Sequence, residues 1–160
     1  MINKNEKPFI VGIIPARMNS SRFPGKPLAE INGVPMIGHV YKRAAMSPLL
    51  DVTCVATCDK EIYDYVKSID GMAIMTSSAH ERASDRCSEC MLQIEAEFQK
   101  KVDIVVMVQG DEPMIVPEMI DLALAAILNH SATVVNLYSE IETFLEARDP
   151  NEIKVALDKN

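Results

Sequence analysis

The chain has 160 residues, 48% of them hydrophobic and 24% charged, which is the size of one globular domain with enough apolar surface for a single core. A formal charge of -7 and a pI near 5.0 oppose any general attraction to polyanions, so the bulk surface is unsuited to nucleic acid or an anionic membrane. An anion site, if there is one, must be local.

The first apolar run, Phe9 to Ile14, is predicted to be a strand, and it is too short for a signal-peptide core or a membrane span. A cytoplasmic chain is therefore expected. The loop that follows, Pro15-Ala16-Arg17-Met18-Asn19-Ser20-Ser21-Arg22-Phe23-Pro24-Gly25-Lys26-Pro27-Leu28, is unusual in charge. Between Lys7 and Ala29 stand Lys7, Arg17, Arg22 and Lys26, with no acidic residue. Guanidinium groups at Arg17 and Arg22 suit phosphate oxygens bidentately, Lys26 adds a point charge, and Ser20, Ser21 and Gly25 let donors come close. Three prolines and a glycine suggest a shaped loop, although a merely solvated basic loop is the competing reading. It is neither a Walker A loop nor a dinucleotide-binding glycine motif.

Further along, Met36 to Met46 is predicted as a helix, Val52 to Thr57 as a strand, Lys60 to Ser68 as a helix and Met72 to Met75 as a strand. Glu81 to Lys100 follows as a helix, Val102 to Val108 as a buried strand, Pro117 to Asn129 as a helix that opens on a proline, and Thr133 to Tyr138 as a strand. Strict alternation of strand and helix implies βαβ crossovers, hence a Rossmann-like three-layer α/β/α domain with a mostly parallel sheet, one domain over 1–160. Glu146 to Glu152 is polar enough for an exposed turn. Ile153 to Leu157 reads as another strand just beginning, so the fold is expected to be incomplete at its C-terminus.

In such sheets ligands bind beyond the carboxyl ends of the strands. The basic loop leaves the first strand at that edge, and the run Val102 to Val108 delivers Gln109-Gly110-Asp111-Glu112-Pro113 to the same edge. Asp111 would there face phosphates, and a triphosphate needs a hard cation such as Mg²⁺, which takes one or two carboxylates plus phosphate and water oxygens. An Asp at a strand end is also a common cap or turn former. Two further patterns stay open. Cys54-x-x-x-Cys58 with Cys87-x-x-Cys90 is either a zinc set or, since one pair lies on a helix and Cys54 in a strand, a group of buried thiols. Ser77, Ser78 and His80 before Glu81 suit a capped helix start, with Arg82 and Arg86 four apart on one helical face. His80 has no second His beside it to suggest a metal site, since His39 lies within a helix and His130 follows one. Of ten methionines, most, Met36, Met72, Met75, Met107 and Met114 among them, are expected to be core filler by their spacing in strands and helices, and they imply no cofactor.

Ile14-Pro15-Ala16-Arg17, Ser20-Ser21-Arg22, Pro24-Gly25-Lys26-Pro27-Leu28 and Ile31-Asn32-Gly33 with Pro35-Met36-Ile37 closely resemble the opening of the 3-deoxy-manno-octulosonate cytidylyltransferases, whose pattern is P-A-R-x-x-S-[ST]-R-x-P-x-K-P-L. Val108-Gln109-Gly110-Asp111-Glu112-Pro113 resembles their V-Q-G-D-E-P string. His80 to Arg86 falls where the family has H-x-S-G-T-[DE]-R: His80, Asp85 and Arg86 match, Ser84 nearly so, and Arg82 and Ala83 depart from it.

The resemblance implies an enzyme that transfers CMP from CTP to an acidic sugar such as 3-deoxy-manno-octulosonate, releasing pyrophosphate, in lipopolysaccharide biosynthesis. By it, Arg17 and Lys26 hold the triphosphate and serve catalysis, with Ser20 and Arg22 in support. Ala16, Arg82, Ala83, Ser84, Arg86 and Gln109 lie along the nucleotide, and Asp111 binds magnesium. The departures at Arg82 and Ala83 bear on the choice of base. Family members continue well beyond residue 160, and the continuation supplies most sugar contacts, a second metal-binding Asp and much of a homodimer interface. Two other readings stand beside this one: a non-catalytic nucleotide-binding module, and a nucleotidyltransferase for another base or sugar.

Overall fold

The structure is a computed structural model that describes residues 7–19, 23–129, 132–150 and 153–156. Strand β1 (Ile10–Ala16) is buried at every position but Pro15, as its nearly unbroken apolar sequence requires. It lies inside a parallel sheet, between β4 (Val52–Thr57) and β6 (Ile104–Met107), with β5 (Ala73–Met75) beyond β4, giving the order β5-β4-β1-β6. Two short antiparallel strands, β2 (Glu30–Ile31) and β3 (Val34–Pro35), form a separate hairpin before the first helix. The helices are α1 (Met36–Ala44), α2 (Lys60–Ser68), α3 (Ala83–Phe98), α4 (Pro117–Asn129) and α5 (Phe144–Arg148).

Alternation along β1 divides the core in two. Ile10, Ile14 and Ala16 face a cluster with Ile37 and Val40 of α1, Ile62 and Val66 of α2, and Ile120 and Leu124 of α4. Val11 and Ile13 face the opposite side, where Cys87, Cys90 and Ile94 of α3 pack with Cys54 and Ala56 of β4. The buried positions of α2, α3 and α4 recur every three or four residues, which is why one stripe of each can face the sheet, whereas α5 buries no residue. This is the three-layer Rossmann-like arrangement expected from the sequence. The chain runs from β1 to β4 and β5 on one side, then returns through α3 to β6 on the other, so the strand order reverses at β1.

Several expectations need correction. Thr133 to Tyr138 is not a strand: the run is exposed almost throughout and pairs with no strand among the described residues, and a strand that buries neither face and completes no ladder has little to hold it. Ile153 to Ala156 likewise carries no strand, and Leu157 lies outside the described residues. Glu146 to Arg148, expected in a turn, belong to α5, while Asn151 and Glu152 lie outside the described residues. β6 is shorter than the expected Val102 to Val108 and is not buried on both faces, because Val105 and Met107 are exposed at the sheet edge.

Candidate active site

At the end of β1 the backbone is fastened at two points. Met18 donates its N–H to Asp59 Oδ2 at 2.8 Å, and Gly25 donates to the Met18 carbonyl at 3.0 Å, so the ends of the basic loop are drawn together. Ser20, Ser21 and Arg22, between those points, lie outside the described residues. Gly25, at φ 74°, turns the chain into a 3-10 turn over Lys26–Leu28, with Pro27 buried beneath it. Lys26 thus stands on a fixed turn.

From the neighbouring strand, Val108 N–H donates to the Ile13 carbonyl at 2.9 Å, one position beyond β6, and Glu112 N–H closes a turn on the Gln109 carbonyl. Gly110 lies so near β1 that a Cβ there would meet the Pro15 carbonyl oxygen at 2.6 Å. Only a residue without a side chain allows this approach. It carries Asp111 to the basic loop, where Lys26 Nζ and Asp111 Oδ2 form an ion pair at 2.8 Å. The proposed phosphate cation and the proposed metal carboxylate are therefore direct neighbours, one from each side of the point where the strand order reverses.

A cleft of about 120 Å³ is lined by Pro15, the residue that Gly110 abuts, with Ala16, Arg17, His80, Glu81, Arg82, Ala83 and Arg86. Ala16, Arg17, Arg82, Ala83 and Arg86, all candidate nucleotide contacts, share its walls. Arg17 and Arg82 are exposed, whereas Arg86 is buried to 3% exposure, with its guanidinium donating to Thr76 Oγ1. Ser84 is an exposed residue of α3 outside the cleft lining. Gln109 is exposed and lines instead an apolar groove of about 680 Å³ between β6, α4 and residues 133–137.

The helix start differs from the capped one expected. α3 begins at Ala83 with Arg82 as N-cap and no side-chain cap, while Ser77 Oγ accepts from Ala79 N–H in the turn before it. The segment is held by Glu89, which sequence reasoning missed. Its Oε2 accepts from Ser77 N–H at 2.9 Å and pairs with His80 Nε2, and its Oε1 accepts from Gln93. The Ser77 N–H, followed by the His80 bond, holds the Glu89 carboxyl below its ordinary value. Asp59 and Thr76 were missed too. Their only signal was position, Asp59 two residues after β4 and Thr76 directly after β5.

Asp111 fits a magnesium site of limited kind. Its carboxylate is half exposed at the sheet edge, and among the described residues no group of three or more His, Cys, Asp or Glu side chains could hold an ion. Phosphate and water oxygens would have to complete the coordination, which is the manner in which Mg²⁺ commonly binds with nucleotides. The thiols are placed differently: Cys54 and Cys90 lie 3.8 Å apart between β4 and α3, and burial pushes Cys87 up to about 12. Cys58 stands apart from them, 3.6 Å from Asp59.

A parallel sheet that reverses its strand order where a basic and an acidic loop meet defines a Rossmann-like nucleotidyltransferase fold. The structure of CMP:2-keto-3-deoxy-manno-octonic acid synthetase complexed with CTP superposes with a TM-score of 0.70 at 41% identity, covering 78% of this chain and 49% of that one. A cytidylyltransferase from Leptospira borgpetersenii shares the fold at a TM-score of 0.63 and 23% identity, over 76% of this chain and 50% of that one. The family model for cytidylyltransferases matches residues 11–160, and the chain belongs to that family. It is 44% identical to the 3-deoxy-manno-octulosonate cytidylyltransferase of Geobacter metallireducens over 94% of this chain and 57% of that protein. For the enzyme of the same name from Geobacter sulfurreducens the figures are 45%, 93% and 58%. The chain thus spans somewhat under three-fifths of the curated relatives it matches.

Proposed function

We propose that this chain binds CTP at the carboxyl edge of the sheet and belongs to an enzyme that transfers CMP to an acidic sugar of the 3-deoxy-manno-octulosonate type, releasing pyrophosphate. The observation that carries this reading is the ion pair of Lys26 with Asp111, which follows from Gly110 abutting Pro15, a residue that also lines the cleft walled by Arg17, Arg82 and Arg86. Arg17 and Lys26 bind and orient the phosphates, with Ser20 and Arg22 in support. The cleft formed by Ala16, Arg82, Ala83 and Arg86 receives the nucleoside; Ser84 and Gln109, which lie outside its lining, are further candidate contacts of the nucleotide. An acceptor oxygen of the sugar attacks the α-phosphorus in line and pyrophosphate leaves, with no covalent protein intermediate. The residues act through position and charge, which is where most of the rate of such transfers originates. Asp111 would hold Mg²⁺, whose chemistry there is neutralisation of phosphate charge. A homodimer in the cytoplasm belongs to the same reading.

Thermal-shift titration with CTP, UTP, GTP and ATP, each with and without Mg²⁺, tests the nucleotide. CTP with Mg²⁺ should raise the melting temperature most, and equal shifts with all four would remove cytidine from the reading. Pyrophosphate release from CTP, Mg²⁺ and 3-deoxy-manno-octulosonate, with size-exclusion light scattering for the dimer, tests the rest.

A further inference from the structure

The Lys26–Asp111 pair has a consequence for how the site fills. The pair joins the cation that the proposed triphosphate site requires to the carboxylate that the proposed divalent-ion site requires. Gly25, Pro27 and the 3-10 turn hold one partner, and the close approach of Gly110 to Pro15 holds the other, so the pairing is built in by backbone on both sides. We infer that this ion pair is a latch that couples the two ligands: a divalent ion on Asp111 releases Lys26 to the phosphates, and a triphosphate on Lys26 releases Asp111 to the ion. The inference rests on the reading of the site proposed above. Because linkage is reciprocal, each ligand must raise the affinity of the other by the same factor through the pair, in addition to any direct attraction between ion and phosphate.

Size follows from exposure. The two side chains are 36% and 51% exposed, so the pair is a surface pair whose interaction is modest. Breaking it should be worth roughly a two- to fivefold change in affinity, well within calorimetric reach.

The test is a double-mutant cycle on the full chain, with CTP binding measured by titration calorimetry in a chelating buffer free of divalent ions. Asp111→Asn should tighten metal-free CTP binding, since Lys26 no longer has to leave its partner. Removal of a negative charge near phosphates would tighten binding by simple repulsion too, and Lys26→Met separates the causes. In the Lys26→Met background the gain from Asp111→Asn should fall by roughly two- to fivefold. Conversely, Lys26→Met alone should tighten Mn²⁺ binding in the absence of nucleotide, followed by the paramagnetic relaxation of water. Equal gains from Asp111→Asn in both backgrounds, or weaker CTP binding in Asp111→Asn, would overturn the latch while leaving the nucleotide site in place. Failure of the unsubstituted chain to bind CTP with or without Mg²⁺ would overturn the site and the latch together.

Discussion

Arg17 and Lys26 carry the same charge but occupy different situations. Arg17 stands on the cleft wall, whereas Lys26 is already matched to Asp111. Loss of a charge-assisted contact is worth about 1.5–3 kcal/mol, about tenfold to a hundredfold in affinity. Arg17→Ala and Lys26→Ala should each weaken CTP binding far more than cytidine binding, with the Lys26 loss the smaller because removing it also ends the competition with Asp111. Calorimetry on both ligands decides this, and unchanged CTP affinity in both variants would take the loop out of the site. At Glu89 the effect depends on pH. The Ser77 N–H and His80 keep its carboxyl below the ordinary value of 4.5, so its contribution to stability is present above that pH and is lost as the pH falls through and below it. Glu89→Gln should therefore melt below the parent at pH 7, and the gap should close as the pH falls below 4.5. A gap of constant size from neutral to acid pH would show that the charge is irrelevant.

Among the elements, α3 does two jobs: its first turn lines the cleft and its length closes one face of the sheet. Ile94, fully buried with Cys54 and Cys90, is the largest apolar side chain it contributes to that closure. Ile94→Ala should cost about 2–5 kcal/mol in a urea melt, in the range for a large-to-small change in a packed core. A loss well below 1 kcal/mol would mean that α3 repacks freely. The elements also differ in how far their residues announced them. Lys60 to Ser68 and Pro117 to Asn129 have the observed bounds because apolar spacing and end residues agree locally. The β2–β3 hairpin was missed although Asn32 and Gly33, with φ of 52° and 77°, are the pair that a tight two-residue turn favours. Helix α5 was missed as well, although Thr143 and Glu146 form a capping box that is written into their spacing. Thr133 to Tyr138 failed in the opposite sense: its composition suits a strand, but strands need partners, and among the described residues none pairs with it.

At the scale of the molecule, the sheet ends on β6 with Val105 and Met107 exposed beside a 680 Å³ apolar groove. An open edge strand of this kind tends to pair with other chains. The chain should self-associate at raised concentration, and Met107→Lys should reduce the tendency without lowering the melting temperature. Sedimentation velocity across a concentration series checks this, and a monomer at all concentrations would refute it.

The class of fold was legible along the chain, and so were the three stretches of the proposed site, the basic loop and the Val108 to Pro113 string from their own residues and the His80 to Arg86 segment through the family resemblance. Buried strands and amphipathic helices write their periods locally, and a basic loop without acids after the first strand is visible as charge alone. Tertiary structure decided what those stretches do to one another. That Gly110 abuts Pro15, that Lys26 therefore meets Asp111 across 85 positions of sequence, that Arg86 turns inward to Thr76 and Gln109 lines a different groove, and that Glu89 ties down the wall bearing His80, all depend on which strands the crossovers set side by side. No local pattern encodes such distances, because they are fixed by the packing of elements whose own residues are satisfied by many arrangements until the whole sheet closes.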